Sequence, residues 1–165
     1  EEELQTGDPP CALKPEVVVG SIDAVAEESR YDTILYIDVV EHIQDDAGQL
    51  RQAALRLAAG GHLIVLSPAH QWLFSPFDRA IGHWRRYTKR TLAAVAPAEV
   101  RLVRARYLDS VGLLASLANR LLLRTDNPQP WQIALWHHVM VPLSRIADPL
   151  LGYRVGKSII AVWQR

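Results

Sequence analysis

Two apolar runs open the chain. Val17-Val18-Val19 stops at Gly20, and Thr33-Ile34-Leu35-Tyr36-Ile37 stops at Asp38. Neither run alternates polar with apolar, the pattern expected of strands covered on both faces of a parallel sheet. Ile43, Ala47, Leu50, Ala54 and Leu57 then recur at i, i+4, i+7, i+11 and i+14, one apolar stripe of a helix. Asp45-Asp46 supply acidic residues near its start, and Gly60-Gly61 predict its stop. His62-Leu63-Ile64-Val65-Leu66 reads as the next strand, closed by Ser67-Pro68. Thr88 suits the cap of a short helix that must end before Pro97. Residues 100–107 and 158–163 read as the last two strands, the latter following Gly156-Lys157.

Repeated strand–helix–strand units predict a parallel α/β sheet, and such sheets take ligands at the carboxyl ends of their strands. Attention therefore falls on Ser21-Ile22-Asp23, on Asp38 and its followers, and on residues 67–86. Between the last two strands lies a Leu-, Val- and Trp-rich insertion, residues 108–155. Val111, Leu114, Leu117, Leu121 and Leu122 recur at roughly helical spacing, as do Trp131, Leu135, Trp136, Val139 and Leu143. Such stripes suit a core or dimer-packing helix pair, with a lid over a hydrophobic acceptor as the functional alternative.

Bulk composition narrows the classes. At 165 residues and 49% hydrophobic, the chain builds one packed domain. Lys+Arg and Asp+Glu both number 18, so no basic excess points to nucleic acid. The lone cysteine, Cys11, excludes an internal disulfide and favours a reducing, cytoplasmic setting. The longest uncharged run, residues 127–144, is broken by Pro130, Gln132, His137, His138 and Pro142, a poor membrane span. Residues 1–15 are polar, acidic and proline-containing, and read as linker.

The most informative stretch is Tyr31-Asp32 leading through the second apolar run to Asp38-Val39-Val40-Glu41-His42-Ile43, then the helix, Leu57-Ala58-Ala59-Gly60-Gly61 and the strand after it. In order and spacing these segments resemble the central motifs of class I S-adenosylmethionine-dependent methyltransferases. Gly82-His83-Trp84-Arg85-Arg86-Tyr87-Thr88 is similar to the GH-x-RRYT segment of a bacterial subgroup of that family. The resemblance covers about residues 17–165. It implies a Rossmann-like, mostly parallel sheet with an antiparallel last strand, and a helical insertion before that strand.

The resemblance also implies a cofactor, S-adenosylmethionine, and a small-molecule acceptor, O-directed in this reading. Ser21, Ile22 and Asp23 would lie by the adenine; Asp38, Val39 and His42 would lie by the methionine end, where a carboxylate stabilises the sulfonium before transfer. A turn or helix-cap role is the other reading of both aspartates. Some relatives hold a divalent metal with Glu-x-x-Glu-His plus a later histidine. The matching set here is Asp38, Glu41, His42 and His83, with aspartate in the first place, and the metal-free reading is preferred. His83 or Tyr87 would act as general base on a hydroxyl, and Arg85 and Arg86 would grip an anionic acceptor or pair with Asp78 and the acidic turn. A methyltransferase-like assembly module without catalysis, forming a homo-oligomer through residues 107–155, is the alternative.

In the family a glycine-rich turn follows the first strand and an acidic residue follows the second. Neither precedes Val17, so the first two strands are expected upstream of this sequence. The 165-residue chain alone is expected to show no micromolar affinity for S-adenosylmethionine in calorimetry; a micromolar isotherm would refute this.

Overall fold

A computed structural model describes residues 17–118 and 134–165. Four strands form one sheet: β1 (Tyr31–Ile37), β2 (Leu57–Pro68), β3 (Arg101–Leu108) and β4 (Ser158–Gln164), in the order β1-β2-β4-β3. β1 pairs with β2 in parallel, while β4 runs antiparallel to both β2 and β3. Three strands therefore point one way and the last strand is reversed between two of them, the mixed α/β sheet expected from the sequence.

The run 17–19 is not a strand. Val17, Val18 and Val19 are 83%, 48% and 92% exposed and unpaired. An extended run gains stability only from a neighbour that accepts its backbone hydrogen bonds, and no described strand lies alongside it. β1 also departs from the expectation of two covered faces. Tyr36 is buried, yet Leu35 and Ile37 on the opposite face are 59% and 47% exposed.

The predicted helix resolves into a 3-10 turn (Val40–His42) followed by α1 (Asp46–Leu55). Asp45 caps α1 through its carboxylate, which accepts from the Gly48 amide at 3.0 Å. The stripe is buried as expected at Leu50 and Ala54 of α1, while Leu57, also buried, lies not on the helix but at the start of β2. Gly60-Gly61 does not stop the helix, which ends at Leu55. The pair lies inside β2, where the step from Tyr31 to Thr33 is matched by the step from Leu57 to His62. This bulge needs glycine twice. Gly60 has φ +78°, and a Cβ on Gly61 would stand 3.0 Å from the carbonyl oxygens of Ala58 and Tyr31.

Beyond β2 come α2 (Pro76–Ala80) and α3 (Lys89–Ala94), capped by Ser75 and by Thr88 respectively. The insertion contributes α4 (Ser110–Ala118), a π-helical turn (Trp136–Met140) and α5 (Val141–Leu150), with α4 and α5 packed together. The expected linker 1–15 and the stripe residues Leu121, Leu122 and Trp131 lie outside the described residues. No described helix is long and apolar enough to cross a membrane. The core lies between α1, α3 and one face of the sheet, built on Leu63 and Val65 of β2 and Ile159, Ala161 and Trp163 of β4.

Gly156, just before β4, passes so close to β3 that an added Cβ would fall on backbone atoms of Leu108. Backbone cannot rotate away. Gly156→Ala is expected to cost about 2–3 kcal/mol, near the top of the ordinary range for one substitution, and to lower Tm by roughly 4–12 °C in circular-dichroism melts. Gly48→Ala, whose Cβ meets only the Asp45 side chain, is expected to cost about 1 kcal/mol, the worth of a disturbed cap.

Candidate functional site

Three residues without glycine's freedom take left-handed backbone where the parallel strands end. Asp38 (φ +51°) follows β1, His70 (φ +66°) lies two residues after β2, and Asp109 (φ +63°) follows β3. Each costs on the order of 1–2 kcal/mol relative to extended or helical backbone. Strain recurring on one edge of the sheet marks that edge as the place where side chains are aimed. β4 starts on the same edge. The Lys157 amide donates to the Asp109 carbonyl at 3.0 Å, and the Lys157 carbonyl accepts from the Ala69 amide at 2.8 Å.

The turn after β1 carries most of the predicted site. The Asp38 amide donates to the Leu66 carbonyl at 2.9 Å, which closes the turn over β2. Burial pushes the Asp38 carboxyl up, and the His83, Lys157 and His42 charges pull it back. Val39 is 40% exposed and His42 is exposed, both open on this edge. Glu41 is fully buried. Its Oε2 accepts from Ser67 Oγ at 2.8 Å, while its Oε1 has no hydrogen-bond partner among the described residues. Burial raises its pKa as well.

His83 completes the cluster. Its Nδ1 lies 2.9 Å from Asp78 Oδ1 and its Nε2 lies 3.9 Å from Glu41 Oε1. The ionised Asp78 carboxylate only accepts, so Nδ1 carries the proton and Nε2 keeps a lone pair in the neutral ring. His42 meets the His83 ring edge-on, with centroids 4.5 Å apart. Glu41, His42 and His83 offer ligand atoms within 4.8 Å of one another, a spacing from which a divalent cation could be held; Asp38 is not in that set.

Two buried carboxylates fix the loop that carries His83. Asp78 accepts from Arg86 through Nε (2.9 Å) and Nη2 (2.8 Å), from the Ser75 amide and hydroxyl (2.8 Å each), and from His83. Asp46, at the first turn of α1, accepts from Arg85 at 3.1 Å and from the Tyr87 hydroxyl at 2.7 Å. The adjacent arginines thus serve different acids, one of them Asp78 as anticipated. Tyr87 is 1% exposed, and burial with the Asp46 carboxylate pushes its phenol far above the usual range. This placement seals Tyr87 into the packing, while His83 Nε2 keeps a lone pair on this edge.

Ser21, Ile22 and Asp23 lie apart from that cluster, on a 3-10 turn (Ile22–Ala24) packed against α1. Ile22 rests on the core, while the Ser21 hydroxyl donates to Asp23 at 3.0 Å. Sequence reasoning missed Asp109, Trp136 and Lys157. Asp109 Oδ1 accepts from the Gly112 amide and the Ser144 hydroxyl, and Oδ2 accepts from Trp136 Nε1 at 2.9 Å. A signal existed: Asp109 comes two residues after the predicted strand 100–107 and begins Asp109-Ser110-Val111-Gly112, a helix-start pattern.

No protein-family model matches this chain, and no curated protein matches it. Solved structures do. A protein assigned provisionally as a sarcosine dimethylglycine methyltransferase from Galdieria sulphuraria superposes with a TM-score of 0.51 at 15% identity, covering 88% of this chain and 57% of its own. A coclaurine N-methyltransferase bound to N-methylheliamine and S-adenosylhomocysteine also gives 0.51 at 15% identity, covering 90% of this chain and 52% of its own. The chain thus spans little more than half the length of these relatives. What the likeness establishes is the fold, the Rossmann-like α/β fold of methyltransferases.

The Asp78 hub has a measurable pH signature. Burial alone would raise its carboxyl, but Arg86, His83 and Ser75 outweigh burial and lower it from 3.8 to about 2. A depressed folded pKa means stability that is present above the unfolded pKa and lost as pH falls through the folded one. About 2 kcal/mol should disappear between pH ~5 and ~2 in urea melts. Asp78→Ala should cost roughly 3–5 kcal/mol at neutral pH by stranding Arg86, and should flatten that acid limb.

Proposed function

We propose that the protein transfers a methyl group from S-adenosylmethionine to the hydroxyl oxygen of a small-molecule acceptor. The observation that carries this reading is the strained Asp38 exit of β1, with exposed Val39 and His42 beside it and His83 held across from it on the same edge. The Gly82–Thr88 segment supports placement in the bacterial subgroup with GH-x-RRYT.

The residues present suit such a cofactor. The Asp38 carboxylate accepts no hydrogen bond among the described residues, so it is free to face a cation. Val39, His42 and the Ser21–Asp23 turn would complete the surface toward the methionine and adenine ends. S-adenosylmethionine, when bound, supplies a methyl group on a sulfonium, a leaving group that departs as a neutral thioether. Catalysis then rests largely on positioning. His83 Nε2 takes the proton of the acceptor hydroxyl, and Asp78 holds the tautomer that keeps this nitrogen free. Glu41 beside Nε2 stabilises the imidazolium so formed, and its own Ser67 bond keeps it in place.

The other reading, an assembly module without catalysis, draws on the exposed apolar face of the insertion: Leu143, Ile146 and Leu150 of α5 are 49%, 66% and 82% exposed. Cofactor binding separates the two.

In the full-length protein, S-adenosylhomocysteine should bind in calorimetry, and Asp38→Asn should weaken it. His83→Gln should leave that affinity unchanged while lowering the methyl-transfer rate by about 10²–10⁴-fold. Absence of binding would refute methyl transfer, and an unchanged rate in the His83 variant would remove its role as base.

A further inference from the structure

The edge of the sheet holds a cation that the reaction above does not use. Lys157 stands between the exits of β2 and β3, its backbone tied to Ala69 on one side and Asp109 on the other. Its Nζ lies 4.9 Å from the centre of the Trp136 ring. That indole cannot swing away, because its Nε1 is bonded to Asp109. Asp109 in turn is fully engaged, holding Gly112, Ser144 and Trp136 together. A Cβ at Gly112 would fall on the Asp109 carboxylate and push it off these partners.

Among the described residues no carboxylate lies within ion-pair distance of Lys157, and its ammonium has no hydrogen-bond acceptor. Arg86, the other cation nearby, is already paired with Asp78. No described acceptor holds this partly buried ammonium, so its donors stay open to solvent or to an incoming group, and burial pushes its pKa down. Such a group is stabilised by an oxyanion arriving from outside. Next to it, His70 Nε2 lies 3.1 Å from the carbonyl of Gly156. The His70 ring stacks on Tyr107 at 4.8 Å and tilts against Trp72 at 5.6 Å. Trp72 is 48% exposed and Trp136 is 38% exposed. One flat surface, Trp136, therefore covers the cation, and a second aromatic group is tied to the residue before it.

We propose that Lys157 and Trp136 form a subsite for the acceptor, which binds a carboxylate or phosphate group carried on a flat, apolar body. This deepens the methyl-transfer reading, on which the word acceptor rests: the anionic end is held at Lys157 while the hydroxyl is presented near His83. Specificity follows from the pair. Lys157 supplies the charge and its direction, and the indole excludes water from one side of it and favours a planar ligand.

The test uses the full-length protein and three probes of one shape: benzoate, phenyl phosphate and benzyl alcohol. The readout is the Trp136 indole N–H resonance, assigned by its disappearance in Trp136→Phe. Benzoate or phenyl phosphate should shift it saturably, and benzyl alcohol should not. Lys157→Met should weaken anion binding tenfold or more, as expected for loss of a charged hydrogen bond, and Lys157→Arg should retain it within about threefold. Saturation by phenyl phosphate alone identifies a phosphate ester, and by benzoate alone a carboxylate. No saturable shift by either anion overturns the proposal, as does equal binding by Lys157→Met with its other indole resonances unmoved. S-adenosylhomocysteine titrated into the same sample keeps the readings apart. Anion binding without it sustains the subsite and refutes methyl transfer, whereas its binding without any anion effect does the reverse.

Discussion

A single buried carboxylate, Asp78, decides where His83 and the loop that carries it stand. It is 1% exposed and accepts five hydrogen bonds from the Ser75 amide and hydroxyl, His83 and the two Arg86 nitrogens. An ion so placed tolerates no half-measures, because each missing donor would leave charge stranded away from water. The same atoms cap α2, direct Nε2 of His83 toward Glu41, and hold Arg86 beside the strand exits. Stability and chemistry are therefore joined at one group: the arrangement that satisfies the charge also selects the imidazole tautomer.

Asp46 does the corresponding work from the other side. Through Arg85 and the Tyr87 hydroxyl it draws the loop onto the first turn of α1, and Tyr87 reaches the Val40 carbonyl at 3.3 Å. With Trp84 donating its amide to the Glu41 carbonyl at 2.8 Å, the loop is stitched to the turn after β1 at both ends. Asp109 repeats the principle at β3, where one carboxylate gathers α4, α5 and Trp136. Strained backbone at Asp38, His70 and Asp109 persists because the surrounding bonds over-determine it.

The strands and their order along the chain were legible from apolar runs, since burial in a sheet imposes that pattern locally. Thr88 as a cap and the helical stripe through Leu50 and Ala54 were legible from residue type and spacing, whereas the reversal of the last strand was expected only from the family resemblance. Two expectations went astray where local pattern and pairing conflict. Val17-Val18-Val19 has strand-like side chains but no partner, and Gly60-Gly61 has the composition of a helix stop but serves a bulge against Tyr31. Neither choice is encoded within the segment itself.

What the sequence by itself determined was the alternation of strands and helices, the edge on which Asp38 and the residues after β2 must fall, and the kinds of side chain available there. Those follow from periodicity and from the chemistry of each residue within a few positions of its neighbours. Tertiary structure alone decided which acid each arginine serves, that Tyr87 is sealed while His83 keeps a free nitrogen, and that Lys157 stands beside Trp136 with no ion-pair partner among the described residues. The partners in those contacts, such as Tyr87 with Asp46 or Trp136 with Asp109, are far apart in the chain. Only the packed sheet brings them within hydrogen-bond reach, and only burial makes each unmet donor or charge matter.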